Sequence, residues 1–228
     1  MLFTSRHDDF ESEKERNLYY KFFAGYFFNE LVPGVDDRLV AFTEIVNSCT
    51  RRGLAASNQQ IALSSETTHV SFDNHAYLFG ALAPDRGEFA DIIIHDRPNR
   101  VVIPIEAKVH SNWSYDKDIL ANERRLEAIE RQMPATRFIP CLLVTRQRWE
   151  ECQRHESHEH SNYRRFTETP HCRTRVLLWE DLLPLVTELP VKDHISSQLA
   201  RPEKGFRYEF EDGWFKQCLS SSAMAAGA

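Results

Sequence analysis

The chain has 228 residues, 42% of them hydrophobic and 27% charged. That is enough for one sizeable core and close to ordinary globular usage, which argues against a disordered chain. No apolar run reaches the roughly 18 residues that a membrane helix needs, because the longest candidate, LYYKFFAGYFFNELV, is interrupted by Lys21 and Asn29. The formal net charge of −6 argues against a protein that coats nucleic acid, but it conceals a gradient. Residues 1–96 carry 8 Lys+Arg against 15 Asp+Glu, whereas residues 97–175 carry 15 against 11, so the middle third is the basic part. Five cysteines without regular spacing describe no disulfide framework and fit a reducing compartment. The opening MLFTSRHDDFESEKER is too polar for a secretory signal, so a cytoplasmic location without a membrane segment is expected.

Residues 12–32 predict a helix whose Tyr19, Phe22, Phe23, Tyr26 and Phe27 recur at steps of three and one. Such an aromatic stripe serves either as core or as a face for a second copy or a protein partner. Pro33-Gly34 breaks that helix, and Asp36 can cap the next, which places Leu39, Phe42, Ile45, Val46 and Cys49 on one face. Strands are expected around QQIALSS and HAYLFGAL, then at FADIIIHD and VVIPIEAKV, joined by the turn signal RPNR. Ser114 or Asp116 can cap a helix with Ile119, Leu126, Ile129 and Met133 inward and Arg124, Arg125 and Arg131 elsewhere. RFIPCLLVT reads as a buried strand, and RVLLW as another that runs into the short helix EDLLPLVTEL. Strand, helix and strand over 101–145 have the length of a crossover between parallel strands, while the hairpin before it is antiparallel. An α/β fold with a mixed central sheet flanked by helices follows. Its expected organisation is an aromatic-rich helix over 1–34, a core over 35–190, and a C-terminal helix with a frayed tail over 191–228.

The stretch FADIIIHDRPNRVVIPIEAKV carries only Asp91, Glu106 and Lys108 as charged side chains within its main apolar runs, apart from Asp96 beside the turn. With the loop centred between Pro98 and Asn99, Asp91 and Glu106 oppose each other and share a face of the sheet. Lys108, two residues beyond Glu106, joins that face because strand side chains alternate. Two adjacent carboxylates repel, and one of them binds a proton unless a cation joins them. A divalent ion such as Mg²⁺ meets that need with one or two carboxylates, waters and phosphate oxygens. An ammonium beside it can orient water or neutralise charge developing on a phosphate. The triplet therefore suits hydrolysis of a phosphodiester.

On these residues the chain resembles the PD-(D/E)XK, or restriction-endonuclease-like, nuclease superfamily. The resemblance rests on Asp91 at the head of IIIHD and on Glu106-Ala107-Lys108 after VVIPI. It extends to the order helix, three-stranded meander, helix, strand, and to the passage RVLLWEDLL, over roughly residues 36–188. It implies a Mg²⁺-dependent nuclease, with Mn²⁺ as a substitute, acting on nucleic acid, DNA ahead of RNA, in a restriction or defence role. Asp91 and Glu106 would be the metal ligands and Lys108 the catalytic lysine. Such a fold often places an acid on its first core helix, for which Glu44 and Asp36 are the two candidates. Ala90 stands where the family name has proline, Pro104 calls for an edge or irregular strand position, and no Gln-and-Tyr signature marks the helix after Lys108. The same fold without catalysis, working as a binding or assembly module through a protein partner, is the alternative.

Arg124, Arg125, Arg146 and Arg148 are candidates for contacts to a phosphate backbone, which they would hold without reading sequence. Residues 150–175 form a polar connection rich in His and Arg. It contains Cys152, His155, His158, His160, His171 and Cys172, but their spacing matches no standard finger and zinc is not expected.

Overall fold

The structure, a computed structural model, describes residues 3–5, 18–19, 21–29, 32–49, 60–72, 90–109, 113–154, 161–169, 172–187 and 189–200. Its strands are β1 Phe3–Ser5, β2 Thr68–Phe72, β3 Ile92–Asp96, β4 Val101–Ala107, β5 Arg137–Phe138, β6 Cys141–Val144 and β7 Arg175–Leu178. They form one sheet in the order β1-β2-β3-β4-β6-β7, with β5 paired to β4 beside the main path. The meander β2–β3–β4 is antiparallel, and β4, β6 and β7 run parallel, so the sheet is mixed as the sequence implies. Its helices are α1 Lys21–Phe27, a π-helix; α2 Val35–Ser48; α3, a π-turn Tyr115–Leu120 that continues as Ala121–Glu130; α4 Arg146–Arg154; α5 Asn162–Glu168; α6 Trp179–Leu182; and α7 Leu189–Leu199. Among the described residues no helix is long and apolar enough to cross a membrane.

Alternation along the strands separates two faces. Ile92, Ile94, Ile103, Ile105, Leu143 and Leu177 pack against Leu39, Phe42 and Val46 of α2 and against the aromatic stripe. The opposite face meets α3 through Ile93, Val102, Leu126 and Ile129, and farther along it meets Trp113, Ile119 and Phe166 through Leu142 and Val144.

The aromatic stripe is interior, which corrects its reading as a face for a partner or a second copy. Tyr19, Phe22, Phe23, Tyr26, Phe27 and Phe28 are each at most 2% exposed. Phe22 meets Trp179 edge-on at 5.4 Å and Phe27 meets Phe42 at 5.6 Å, contacts worth roughly 0.5–1.5 kcal/mol each beyond burial. The Tyr26 hydroxyl accepts from the Thr187 backbone N–H at 3.0 Å, so its polar end is used internally too. Ile195 of α7 joins the same cluster, and the described parts of 1–34 and 191–228 thus share the core of 35–190.

Arg38 fixes the end of the aromatic segment. It is 5% exposed, and its guanidinium donates to the carbonyls of Phe27 at 2.9 Å, Val32 at 3.0 Å, Asn29 at 3.1 Å and Pro33. The last carbonyls of a helix have no partner within it, and here one planar fork takes that of Phe27 together with three from the segment that follows. It also lies 5.1 Å from the centre of the Tyr26 ring. The N-cap of α2 is Gly34 at φ 78°, a left-handed conformation that suits glycine, so Asp36 is not the cap but an exposed residue of the first turn.

Two strand expectations are corrected. Residues 61–64, within QQIALSS, have no regular structure, and the first strand of the meander is Thr68–Phe72; HAYLFGAL lies outside the described residues. RFIPCLLVT is broken into β5 and β6 at Ile139-Pro140. Pro104 is accommodated without an edge, in a strand paired on both sides, because this break lies across from it: Val102 pairs with Phe138 and Ile105 with Cys141. The polar connection after residue 150 also holds more structure than expected, namely the end of α4 and all of α5; Trp149 and Phe166 pack at 5.8 Å.

Glu123 ties α3 to the entry of β7. One of its oxygens accepts from Arg173 N at 2.7 Å, Thr174 N at 2.8 Å, Thr174 Oγ1 at 2.7 Å and Cys172 Sγ at 3.2 Å. Glu123→Ala strands these donors and is expected to cost about 2–3 kcal/mol in urea unfolding, with Glu123→Gln losing less because an amide oxygen remains.

Candidate active site

The reversal between β3 and β4 sets the geometry. Arg100 N donates to Arg97 O at 3.1 Å, and Arg100 takes the left-handed conformation at φ 53°. Asp96, fully buried, accepts from Asn99 N at 3.1 Å, Asn99 Nδ2 at 3.0 Å and Thr67 Oγ1 at 3.0 Å, which locks the four-residue loop. The resulting register opposes Ile92 to Ile105 and Ile93 to Pro104. Asp91 comes one residue before the last ladder pair, Ile92 with Ile105, and Glu106 one residue after it, at the end where the parallel strands β4, β6 and β7 finish.

Asp91 holds that end of the hairpin together. Its Oδ2 accepts from Ala107 N at 2.7 Å, taking the place of a ladder carbonyl, and its Oδ1 accepts from the buried Tyr19 hydroxyl at 3.1 Å. Glu106 and Lys108 share a face, with Nζ 2.7 Å from Glu106 Oε1. Lys108 N donates to Leu143 O at 2.8 Å, so the ladder to β6 runs past the lysine and fixes its backbone.

A third carboxylate joins them that the sequence reading did not single out. Asp118 Oδ1 lies 3.4 Å from Lys108 Nζ, and Asp118 Oδ2 accepts from Ser114 N at 2.5 Å, closing the start of α3. Ser114 is the N-cap, as one of the two expected caps, but its side chain makes no capping bond. The other, Asp116, is exposed and binds Arg165 through both oxygens at 2.6 Å. Hydrogen bonds from that guanidinium hold the Asp116 carboxyl below its usual range. The signal for Asp118 was its position four residues after Ser114, one helical turn on, where its backbone N–H donates to Ser114 O at 2.9 Å.

Burial first, and the Asp91 charge second, push Glu106 up to about 8 against the opposing pull of Lys108. Burial alone would lower the Lys108 ammonium, but Glu106, Asp118 and Asp91 outweigh it and hold it above the ordinary lysine value. The site is therefore one ammonium among three carboxylates, and it is short of positive charge. Beside Glu106 and Asp118 lies a hollow of about 10 Å³ bordered by Pro104, Asn122 and Thr174. That is room for about one water.

Neither acid expected from the first core helix reaches this site. Glu44 and Asp36 are exposed on α2, whose apolar residues pack on the face of the sheet opposite Glu106. The four candidate arginines are scattered over two helices. Arg146 pairs with Asp181 at 3.1 Å, Arg148 with Glu151 at 3.0 Å, Arg125 donates to Asn122 Oδ1 at 3.3 Å, and Arg124 is exposed on α3. At Arg146 and Arg148 a phosphate would have to compete with these carboxylates. Of the zinc-competent residues, Cys172 donates to Glu123, Cys152 is half-buried in α4, and His155, His158, His160 and His171 lie outside the described residues. Among the described residues no three His, Cys, Asp or Glu side chains converge into a metal cage. Compared with known protein families, with curated proteins and with solved structures, the chain matches none of them.

Proposed function

We propose that the chain is a metal-dependent nuclease that hydrolyses phosphodiester bonds, DNA ahead of RNA, with Mg²⁺ or Mn²⁺ as its cation. The observation that carries this reading is the deficit of positive charge at the end of the hairpin, where burial and Asp91 raise Glu106 in spite of an ammonium at 2.7 Å. A small hard cation fits such a donor set, because it needs only one or two carboxylates and completes its shell with waters and phosphate oxygens. Asp91 and Glu106 would hold it, because an ionised carboxylate has two oxygens with about four acceptor sites between them. When bound there, Mg²⁺ supplies Lewis-acid polarisation of a phosphoryl group and activation of water. Lys108 presents a charged ammonium at the same place, where it orients the attacking water and offsets negative charge that builds on the phosphate. Asp91 keeps the two strand ends in register through Ala107 N, so that Glu106 and Lys108 stay on one face.

Asp91→Asn is the direct test. Asparagine can still accept from Ala107 N, so the hairpin is expected to persist in circular dichroism while cleavage of DNA or RNA with Mg²⁺ or Mn²⁺ falls to background. Equal cutting by both proteins, or no cutting by the wild type on any substrate tried, overturns the proposal.

A further inference from the structure

Asp118 is built into the site more firmly than a helix-start acid requires. Its side chain is only 15% exposed, with one oxygen on Ser114 N and the other facing Lys108 Nζ. Lys108 is thus shared unequally, at 2.7 Å from Glu106 and 3.4 Å from Asp118. We infer that Asp118 is a positioning residue for Lys108, the carboxylate that receives the ammonium when a divalent cation takes Glu106. This rests on the reading of the site as a metal-dependent nuclease and extends it to a residue on a different element.

The argument is one of competition for an oxygen. A cation on Glu106 meets the ammonium already bound to the same carboxylate, and the two positive charges repel. Without a second acceptor, Lys108 would have to swing into solvent, and the ammonium would leave the reacting centre. Asp118 offers an acceptor less than an ångström beyond ordinary hydrogen-bond length, on the same side of Lys108 as the crossover helix. Its own orientation is held by Ser114 N, and Asn122 Nδ2 fastens the next turn by donating to the Asp118 carbonyl at 2.9 Å. Lys108 therefore changes partners by a small movement and stays at the site.

The test uses Asp118→Asn, whose amide oxygen still accepts from Ser114 N while the charge is lost. Mn²⁺ binding to the full chain is measured by calorimetry alongside thermal unfolding, with Glu106→Gln as the reference. Expected is a Mn²⁺ affinity about tenfold weaker in Asp118→Asn, the scale of one lost charge-assisted contact, with little change in unfolding temperature. Charge-retaining Asp118→Glu is expected to recover part of it. If Mn²⁺ affinity is unchanged in Asp118→Asn but lost in Glu106→Gln, Asp118 is only a helix cap and the inference falls while the nuclease reading stands. If the wild type binds no Mn²⁺, or Glu106→Gln binds as well as wild type, both fall together.

Discussion

Glu106→Gln is expected to abolish cleavage and yet stabilise the protein in alkaline, metal-free buffer. Loss of one of two carboxylate ligands removes the cation and, with it, on the order of a thousandfold or more of the rate. The stability effect has the opposite sign because Glu106 is the group that the fold handles worst when ionised. Its folded pKa, about 8, lies above the ordinary glutamate value, so the folded state binds more protons than the unfolded state between those limits. Its contribution to stability is fully present below the unfolded pKa and is lost as pH rises through about 8. Urea unfolding of wild type in chelator should thus show stability falling across that window. Glu106→Gln, with no charge to lose and an amide oxygen still available to Lys108, should show a flatter profile and be roughly 1–2 kcal/mol the more stable near pH 8.5. A variant that loses activity and stability in parallel at every pH would mean that Glu106 is structural and that the charge deficit is not what shapes the site.

Arg38→Ala is expected to be among the most destabilising single changes in the chain, by about 3–5 kcal/mol. One guanidinium satisfies carbonyls of Phe27, Asn29, Val32 and Pro33, and its removal takes the donor from the buried bonds to Phe27 and Val32. Arg38→Lys should recover little, since an ammonium has three donors without the planar fork and cannot span the same set. The consequence reaches the site, because the aromatic segment that Arg38 terminates also carries Tyr19, whose hydroxyl binds Asp91. Chemical denaturation measures the loss directly. A cost below about 1 kcal/mol would show that water replaces the guanidinium at these carbonyls.

The hairpin was the most legible part of the sequence because its register is arithmetic. A four-residue loop between two apolar runs determines which residues face each other, and the pairing of Ile92 with Ile105 and the contact of Glu106 with Lys108 follow from it. The inward positions of α3 and the stripe of α2 were legible for the same reason, a period with a physical cause. Asp118 was not, because YDKDIL offers two acids at the helix start, and nothing in it says that Asp118 turns to Lys108 while Asp116 turns to Arg165. The choice between interior and interface for Phe22 to Phe28 could not be read from spacing either, since both uses demand the same pattern; what decides it is the supply of partners such as Phe42 and Trp179. The acids of α2 show the limit of analogy: Glu44 has the right residue type on the right helix, but the sheet stands between it and Glu106.

A single turn, closed by Asp118 N on Ser114 O at 2.9 Å, carries Asp118 round to Lys108, which makes the orientation of that acid a matter of chain length. Excising a single residue between Ser114 and Asp118 would rotate that carboxylate about 100° around the axis, away from the lysine, with no change in its chemical identity. In any chain aligned with this one, the interval from Trp113 to the acid should accordingly be a better guide to an intact centre than the residues that fill it.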